Sequence, residues 1–435
     1  MNSSKSTLKF LPIVGALALS FAASAEDWTQ YRGPSFDGKS SEKLPSTSFP
    51  GGGPRVAWKV PSPNGFSSFT VADGMAFTLE TANVGGAQRE ALVARNATNG
   101  KVGWSLPLGA ADYGHNGGDA GTRDNKGGDG ARSTPAFKDG KVYVMTADLG
   151  LLCADAKTGK RIWAVDLGAK HAGVNIKWKN AASPIIDGDL VFVAGGGSGQ
   201  ALIAFNKDSG KVAWKTQDDL MTHATPTVTD LHSVRQVIFF TQKGLVSLKT
   251  DTGSVLWRYD FPFQVSTASS PVVAGDIVYC SAGYGVGAGA VKVEKTGAKF
   301  TASEIYRVRG NKDLANHWSS PIHHEGYLYG MFQFKEYGEG PVKCVDVKTG
   351  KIMWEKEGFG PGNVTYADGH FIALTDAGVL VIFKADPTKY VEVARAKVLD
   401  GKCWTTPTLA NGKVYIRSTK EAACVDLAGG RVASR

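Results

Sequence analysis

The sequence predicts an all-β fold, an eight-bladed β-propeller of four-stranded antiparallel blades closed by an N-terminal strand that completes the last blade. Three observations predict it. Glycine makes up 54 of 435 residues without low complexity, about twice the usual ~7%, as in a chain of short strands and tight turns. One unit recurs from Phe69 to the C-terminus with starts 42 to 50 residues apart, save for a longer first gap. A period in the forties with four strands per unit describes a propeller blade. Finally, a strand near the start copies one that the last unit lacks.

The unit reads small-Ser/Thr-Pro, apolar strand, Asp-Gly or a variant, second strand, Gly-Leu, third strand, Asp-x-x-Thr-Gly-Lys-x-x-Trp. Its clearest copy runs from Ser133-Thr134-Pro135 through Asp139-Gly140 to Asp155-Ala156-Lys157-Thr158-Gly159-Lys160-Arg161-Ile162-Trp163. Further copies start at Pro184, Pro226, Pro271, Pro321 and Pro407. Two more, entering at Phe69 and Val364, lack the proline. Asp-Gly and Asn411-Gly412 supply the positive φ angles of two-residue hairpins. Val142, Val144, Val191 and Val193 alternate as strand residues filling the space between blades. Trp104, Trp163, Trp214, Trp257 and Trp354 each follow a glycine by four residues. Each indole is expected to pack on the next blade, its N–H meeting a backbone carbonyl or the repeat's Asp. The units from Pro271 and Val364 carry Tyr306 and Tyr390–Ala394 instead.

The last unit ends at Arg435 without a Trp, whereas Arg55-Val56-Ala57-Trp58-Lys59 copies Lys211-Val212-Ala213-Trp214-Lys215. Residues 55–59 are therefore expected to close the ring and hide its sheet edges; the rival is closure by residues 431–435.

Residues 1–25 read as a secretory signal: Lys5 and Lys9, the apolar stretch Phe10–Phe21, and Ala23-Ser24-Ala25 before a cut ahead of Glu26. The alternative is a buried N-terminal helix. No Cys lies near the cut to carry a lipid. The expected organisation is signal peptide 1–25, extension 26–54 and propeller 55–435, in the periplasm or secreted. The net charge is +9, or +7 without Lys5 and Lys9, with no Lys/Arg run. It favours solubility and makes no case for nucleic acid. No apolar stretch approaches the ~20 residues of a membrane span. The five cysteines, Cys153, Cys280, Cys344, Cys403 and Cys424, show neither adjacency nor Cys-x-x-Cys spacing, which excludes a disulfide scaffold and gives no zinc or redox pattern.

The Asp-x-x-Thr-Gly-Lys-x-x-Trp repeats, from Arg55 to about Asp426, resemble those of the pyrroloquinoline-quinone-like (quinoprotein alcohol dehydrogenase-like) propellers. Trp28-Thr29-Gln30-Tyr31-Arg32-Gly33-Pro34-Ser35-Phe36-Asp37-Gly38 is similar to the opening of secreted members common in planctomycete-like bacteria. The resemblance implies the fold. One branch of the family implies a dehydrogenase, with the quinone beneath adjacent disulfide-bonded cysteines, a Glu–Asn–Asp calcium site and a catalytic Asp. Another implies an outer-membrane assembly lipoprotein. This chain lacks the first branch's cysteine pair and the second's lipid-bearing cysteine.

Once the repeat is subtracted, Trp178, Trp318 and Trp404 remain, each shortly before a blade-initial proline. The positions three before each unit start are Phe66, Arg132, Ala181, His223, Ala268, Trp318, Pro361 and Trp404, with Trp178, Asn180, His317 and Lys402 nearby. Two readings stand: a ligand pocket at one channel mouth, with aromatic faces and Arg132 and His223 for an anion or polar group, or a plug of large side chains. The insert Gly109–Ala131 exceeds a normal connection and leads into Arg132. Its Asp119, Asp124, Asn125 and Asp129 miss the spacing of a calcium loop. Gly283–Gly289 reads as a wide hairpin, and His323-His324 as a solvated turn. No Gly-x-Ser-x-Gly or Ser–His–Asp set is present. The leading expectation is a monomeric propeller that binds a small-molecule or protein partner in the cell envelope without chemistry of its own. The alternatives are a quinone- and calcium-dependent dehydrogenase, and a scaffold for envelope protein assembly.

Overall fold

The computed structural model describes residues 26–51, 53–113, 130–332 and 340–428. The expected signal peptide, most of the glycine-rich insert with its Asp119, Asp124, Asn125 and Asp129, and residues 431–435 lie outside them. Eight four-stranded antiparallel blades form, with strands in sequence order from inside to outside except in blade 8, whose outermost strand comes from near the N-terminus. Blade 2 is representative: Ala136–Lys138, Lys141–Met145, Gly150–Asp155 and Arg161–Asp166. The innermost strands of the other seven, in order, are Thr70–Ala72, Ile185–Asp187, Thr227–Leu231, Val272–Ala274, Ile322–His324, Asn363–Ala367 and Thr408–Ala410. Among the described residues the only α-helix is Leu167–His171, and no helix is long and apolar enough to cross a membrane.

Closure follows the expectation. Arg55–Pro61 is the outermost strand of blade 8, with Trp58 opposite Cys424. Arg417 adds a second clasp. Fully buried, its guanidinium donates to the carbonyls of Leu79 and Pro63 and to Thr78 Oγ1, tying blade 8 to blade 1.

The repeat's Trp and Gly turn out to be two halves of one joint. In four blades the indole lies on the turn glycine of the next: Trp58 on Gly100, Trp104 on Gly159, Trp163 on Gly210, Trp214 on Gly253. A Cβ on Gly159 would stand 2.6 Å from the Trp104 ring, and its φ of +72° is one that a side chain disfavours. The indole N–H of these residues goes to a backbone carbonyl beside that turn, as for Trp104 to Ala156 at 3.0 Å. Trp257 differs, donating to Gln236 Oε1 in its own blade, because blade 5 replaces the turn with the long hairpin Gly287–Thr296/Lys299–Val308. Tyr306 then takes the indole's place, packed on Gly350.

Although the Ser270 hydroxyl has no partner among the described residues, the Ser/Thr just before the inner strand has a job at five of the eight blade junctions. Its hydroxyl accepts the backbone N–H of the same position in the preceding blade: Thr406 to Ser68, Ser68 to Thr134, Thr134 to Ser183, Ser183 to Thr225, Ser270 to Ser320, at 2.8–3.1 Å. These bonds form a partial belt that joins blades 8, 1, 2, 3 and 4 in series and blade 5 to blade 6. Middle strands are buried on both faces. Val142 and Val144 pack toward blade 1, Tyr143 and Met145 toward blade 3.

The extension has a structure the repeat does not hint at. It lies across the channel end where the inner strands run out. Trp28 bridges Val71 in blade 1, the Thr29 carbonyl takes Phe137 N–H in blade 2, and Gln30 brackets Ile186 in blade 3. Arg32 then crosses to blade 6 and donates to the carbonyls of Ser320 and Pro321. Lys39–Ser40 pairs in parallel with blade 7, and Glu42 takes Asn411 and Gly412 N–H in blade 8. His323 and His324 depart from the solvated turn expected of them. Both are half-buried beneath this strap, and His324 packs on Tyr366 with centroids 4.3 Å apart.

Candidate functional site at the open channel mouth

The opposite mouth is reached by the segments that precede the inner strands. Along it runs a row of six rings: Phe66 stacks on Trp404 (4.8 Å), Trp404 meets Trp318 (4.3 Å), Trp318 meets His317 (4.9 Å), His317 meets Tyr284 edge-on (5.2 Å), and Tyr284 stacks on Trp178 (6.2 Å). Trp178, Tyr284, Trp318 and Trp404 are half-exposed and Phe66 and His317 buried. Trp318 Nε1 donates to the Pro361 carbonyl (2.8 Å), whereas Trp404 Nε1 is buried with no acceptor among the described residues. Lys402 Nζ stands 4.5 Å from the Trp404 ring centre and Lys177 Nζ 5.0 Å from that of Trp178, within cation–π range.

The Lys177–Asn180 turn is clamped from several sides. Trp178 and Lys179 both have positive φ, +67° and +63°, which bulky residues seldom adopt. Arg132 donates to the Trp178 carbonyl, His223 Nε2 lies 3.0 Å from the Lys177 carbonyl, and Lys179 pairs with Asp148 at 2.7 Å. Asn180 spends its amide on Thr146 and Ala182. His223 Nδ1 meets Ser266 Oγ at 2.7 Å. Burial, helped by the Arg132 charge, holds the His223 imidazole down at about 3. His223 is therefore neutral and shapes the turn, leaving the charge to Arg132.

Three participants escaped the sequence reading. Tyr284 is the lone ring in the glycine-rich hairpin 283–286, and that isolation was the signal available. Glu90 and Tyr113 sit beside Arg132, which lies 5.2 Å from the Tyr113 ring centre. Glu90 accepts from Ala147 N–H (2.9 Å) and Tyr113 Oη (3.4 Å). Burial pushes its carboxyl up to about 7, against the pull of the Ala147 N–H and the Arg132 charge. Nothing in a strand pattern announces a buried acid.

The features that the dehydrogenase resemblance implies can be held against these residues. All five cysteines are free, buried and apart. Cys153, Cys344 and Cys424 each stand between a Tyr and a Trp on neighbouring strands, and burial pushes their thiols up to about 12. Among the described residues no three His, Cys, Asp or Glu side chains gather as a metal site. The described residues hold no adjacent cysteine pair of the kind that the resemblance places over the quinone.

Fold and site together define a ring-closed eight-bladed propeller with one strapped channel end and one aromatic mouth. The chain belongs to the PQQ-like repeat propeller family: the family model described as outer membrane protein assembly factor BamB matches residues 89–330, just over half of the chain. It is 25% identical over 294 residues to outer membrane protein assembly factor BamB of Shewanella oneidensis, covering 65% of this chain and 68% of that protein. In fold it is similar to BamB from Moraxella catarrhalis (TM-score 0.57, 17% identity, 87% of this chain and 97% of that one). It is similar also to quinohemoprotein alcohol dehydrogenase from Comamonas testosteroni (TM-score 0.64, 14% identity, 94% and 82%).

Proposed function

We propose that this chain is a binding propeller of the bacterial cell envelope that takes a polypeptide partner on its aromatic mouth, as a scaffold rather than an enzyme. The observation that carries the reading is the row from Phe66 to Trp178. Six rings in successive contact at a channel mouth, four of them half-exposed, offer a ridged apolar surface with cations beside it. That shape suits an extended chain better than one compact small molecule. The BamB relatives support an envelope partner, and residues 1–25 the export that would bring the chain there. Of the residues singled out, Trp178, Trp318 and Trp404 would form the contact surface, Arg132 and Lys402 its charge, and Asn180, His223 and His317 its support.

The test compares wild type with a Trp318→Ala/Trp404→Ala variant as baits for cross-linking in periplasm. A defined set of partners should be captured by wild type and lost, at least tenfold, by the variant at equal folded concentration. Equal capture by both would remove the mouth from the interaction. Dye-coupled alcohol oxidation on adding the quinone with calcium would overturn the non-enzymatic reading.

A further inference from the structure

The strapped end of the channel holds a cavity of about 240 Å³, unconnected with the reading of the aromatic mouth. In each blade the residue two after the unit start forms a non-hydrogen-bonded pair with the second strand. The pair next to the hairpin turn is the bonded one, so this residue's own N–H and C=O face the channel. The strap answers these groups in blades 1, 2, 3 and 7: Trp28 main chain on Val71, Thr29 carbonyl on Phe137, the Gln30 side-chain amide on Ile186, Gly38 carbonyl on Tyr366. It makes no such bond in blade 8, nor along the cavity in blades 4, 5 and 6, where it touches blade 6 through Arg32 and through Gly38 packed on Ile322. The equivalent residues there are Val228, Val273 and His323. Their N–H groups meet no acceptor among the described residues, and all three residues line the cavity.

The remaining walls are polar but already satisfied. Arg32 gives its donors to four carbonyls, of Phe36, Ser320, Asp37 and Pro321. Lys39 lies 3.6 Å from Asp37, and Arg235 holds Asp230. A full charge in the ligand is therefore not called for. Needed is a small group that both donates and accepts, as the strap's own amides do on the other blades. At about 240 Å³ the space falls below the ~300–1,000 Å³ of drug-sized pockets. The geometry points to a binding site for a small amide-bearing molecule of about dipeptide size, held by the channel-facing main chain of Val228, Val273 and His323.

Isothermal titration of the leaderless chain with the uncharged amides N-acetylglycylglycinamide and N-acetylglycinamide tests this. Saturable binding tighter than ~1 mM is expected. Two variants locate it. Val273→Pro deletes one channel-facing N–H on a strand edge, where proline is tolerated. Ser35→Trp, at the exposed rim, blocks entry without touching the core. Each should weaken binding at least tenfold, while Trp318→Ala/Trp404→Ala should leave it unchanged. Absence of saturation with both probes, or wild-type affinity in Ser35→Trp, would overturn the proposal. Loss in the Trp318→Ala/Trp404→Ala variant would do so too, by moving the probe to the mouth.

Discussion

His223 and Glu90 stand within reach of the same Arg132, yet burial drives them to opposite pH behaviour. The folded state keeps His223 neutral down to about pH 3, against an ordinary value of 6.5. Between those values the unfolded chain binds the extra proton. Stability from this residue is whole above pH 6.5 and declines below it, by up to ~1.4 kcal/mol per pH unit. Glu90 has its carboxyl raised from 4.5 to about 7. Here the folded state holds the proton longer, so its contribution is whole below pH 4.5 and is lost as pH rises through 7. Urea unfolding across pH should show both slopes. Glu90→Gln should flatten the decline near neutrality, and His223→Asn the decline in acid. A wild-type profile in either variant would mean that these groups are not buried as described.

At the scale of one element, the turn Asp-x-x-Thr-Gly joins two blades as well as two strands. Gly159→Ala forces a Cβ to 2.6 Å from Trp104 at φ +72°, whereas Gly188→Ala meets the same hand of backbone in open space. The first should cost about 1–3 kcal/mol more than the second in urea midpoint terms. Equal losses would mean that the indole does not need its glycine seat. Ser183→Ala removes the acceptor of Thr134 N–H and should cost roughly 1–3 kcal/mol by stranding a buried donor. The eight outermost strands share another device. Each carries a bulge immediately before the indole position, which twists an exposed edge away from foreign strands.

Over the whole molecule, closure is double. Trp58 and its strand complete blade 8, and Arg417 fastens that blade to blade 1. Trp58→Ala empties a buried indole site at the seam and should cost ~3–5 kcal/mol. Removing residues 26–44 should act differently. The ring stays closed, but the N–H groups of Val71, Phe137, Ile186 and Tyr366 lose their acceptors and should exchange with deuterium much faster. Unchanged exchange there would show that the strap does not seat on the inner strands.

How much of this was legible depends on how local the cause is. Blade number, turn positions and the borrowed strand Arg55–Pro61 are written in the repeat, because hairpin backbone angles and strand alternation act within a few residues. Trp178, Trp318 and Trp404 stood out for the converse reason, as large rings the repeat does not require. The pairing of each indole with a glycine some fifty residues on, the hydroxyl belt and the course of Trp28–Ser40 across the channel were invisible. So were Glu90 and the unmet N–H groups of Val228, Val273 and His323. Those depend on which residues meet across blades, and only closing the ring sets such distances.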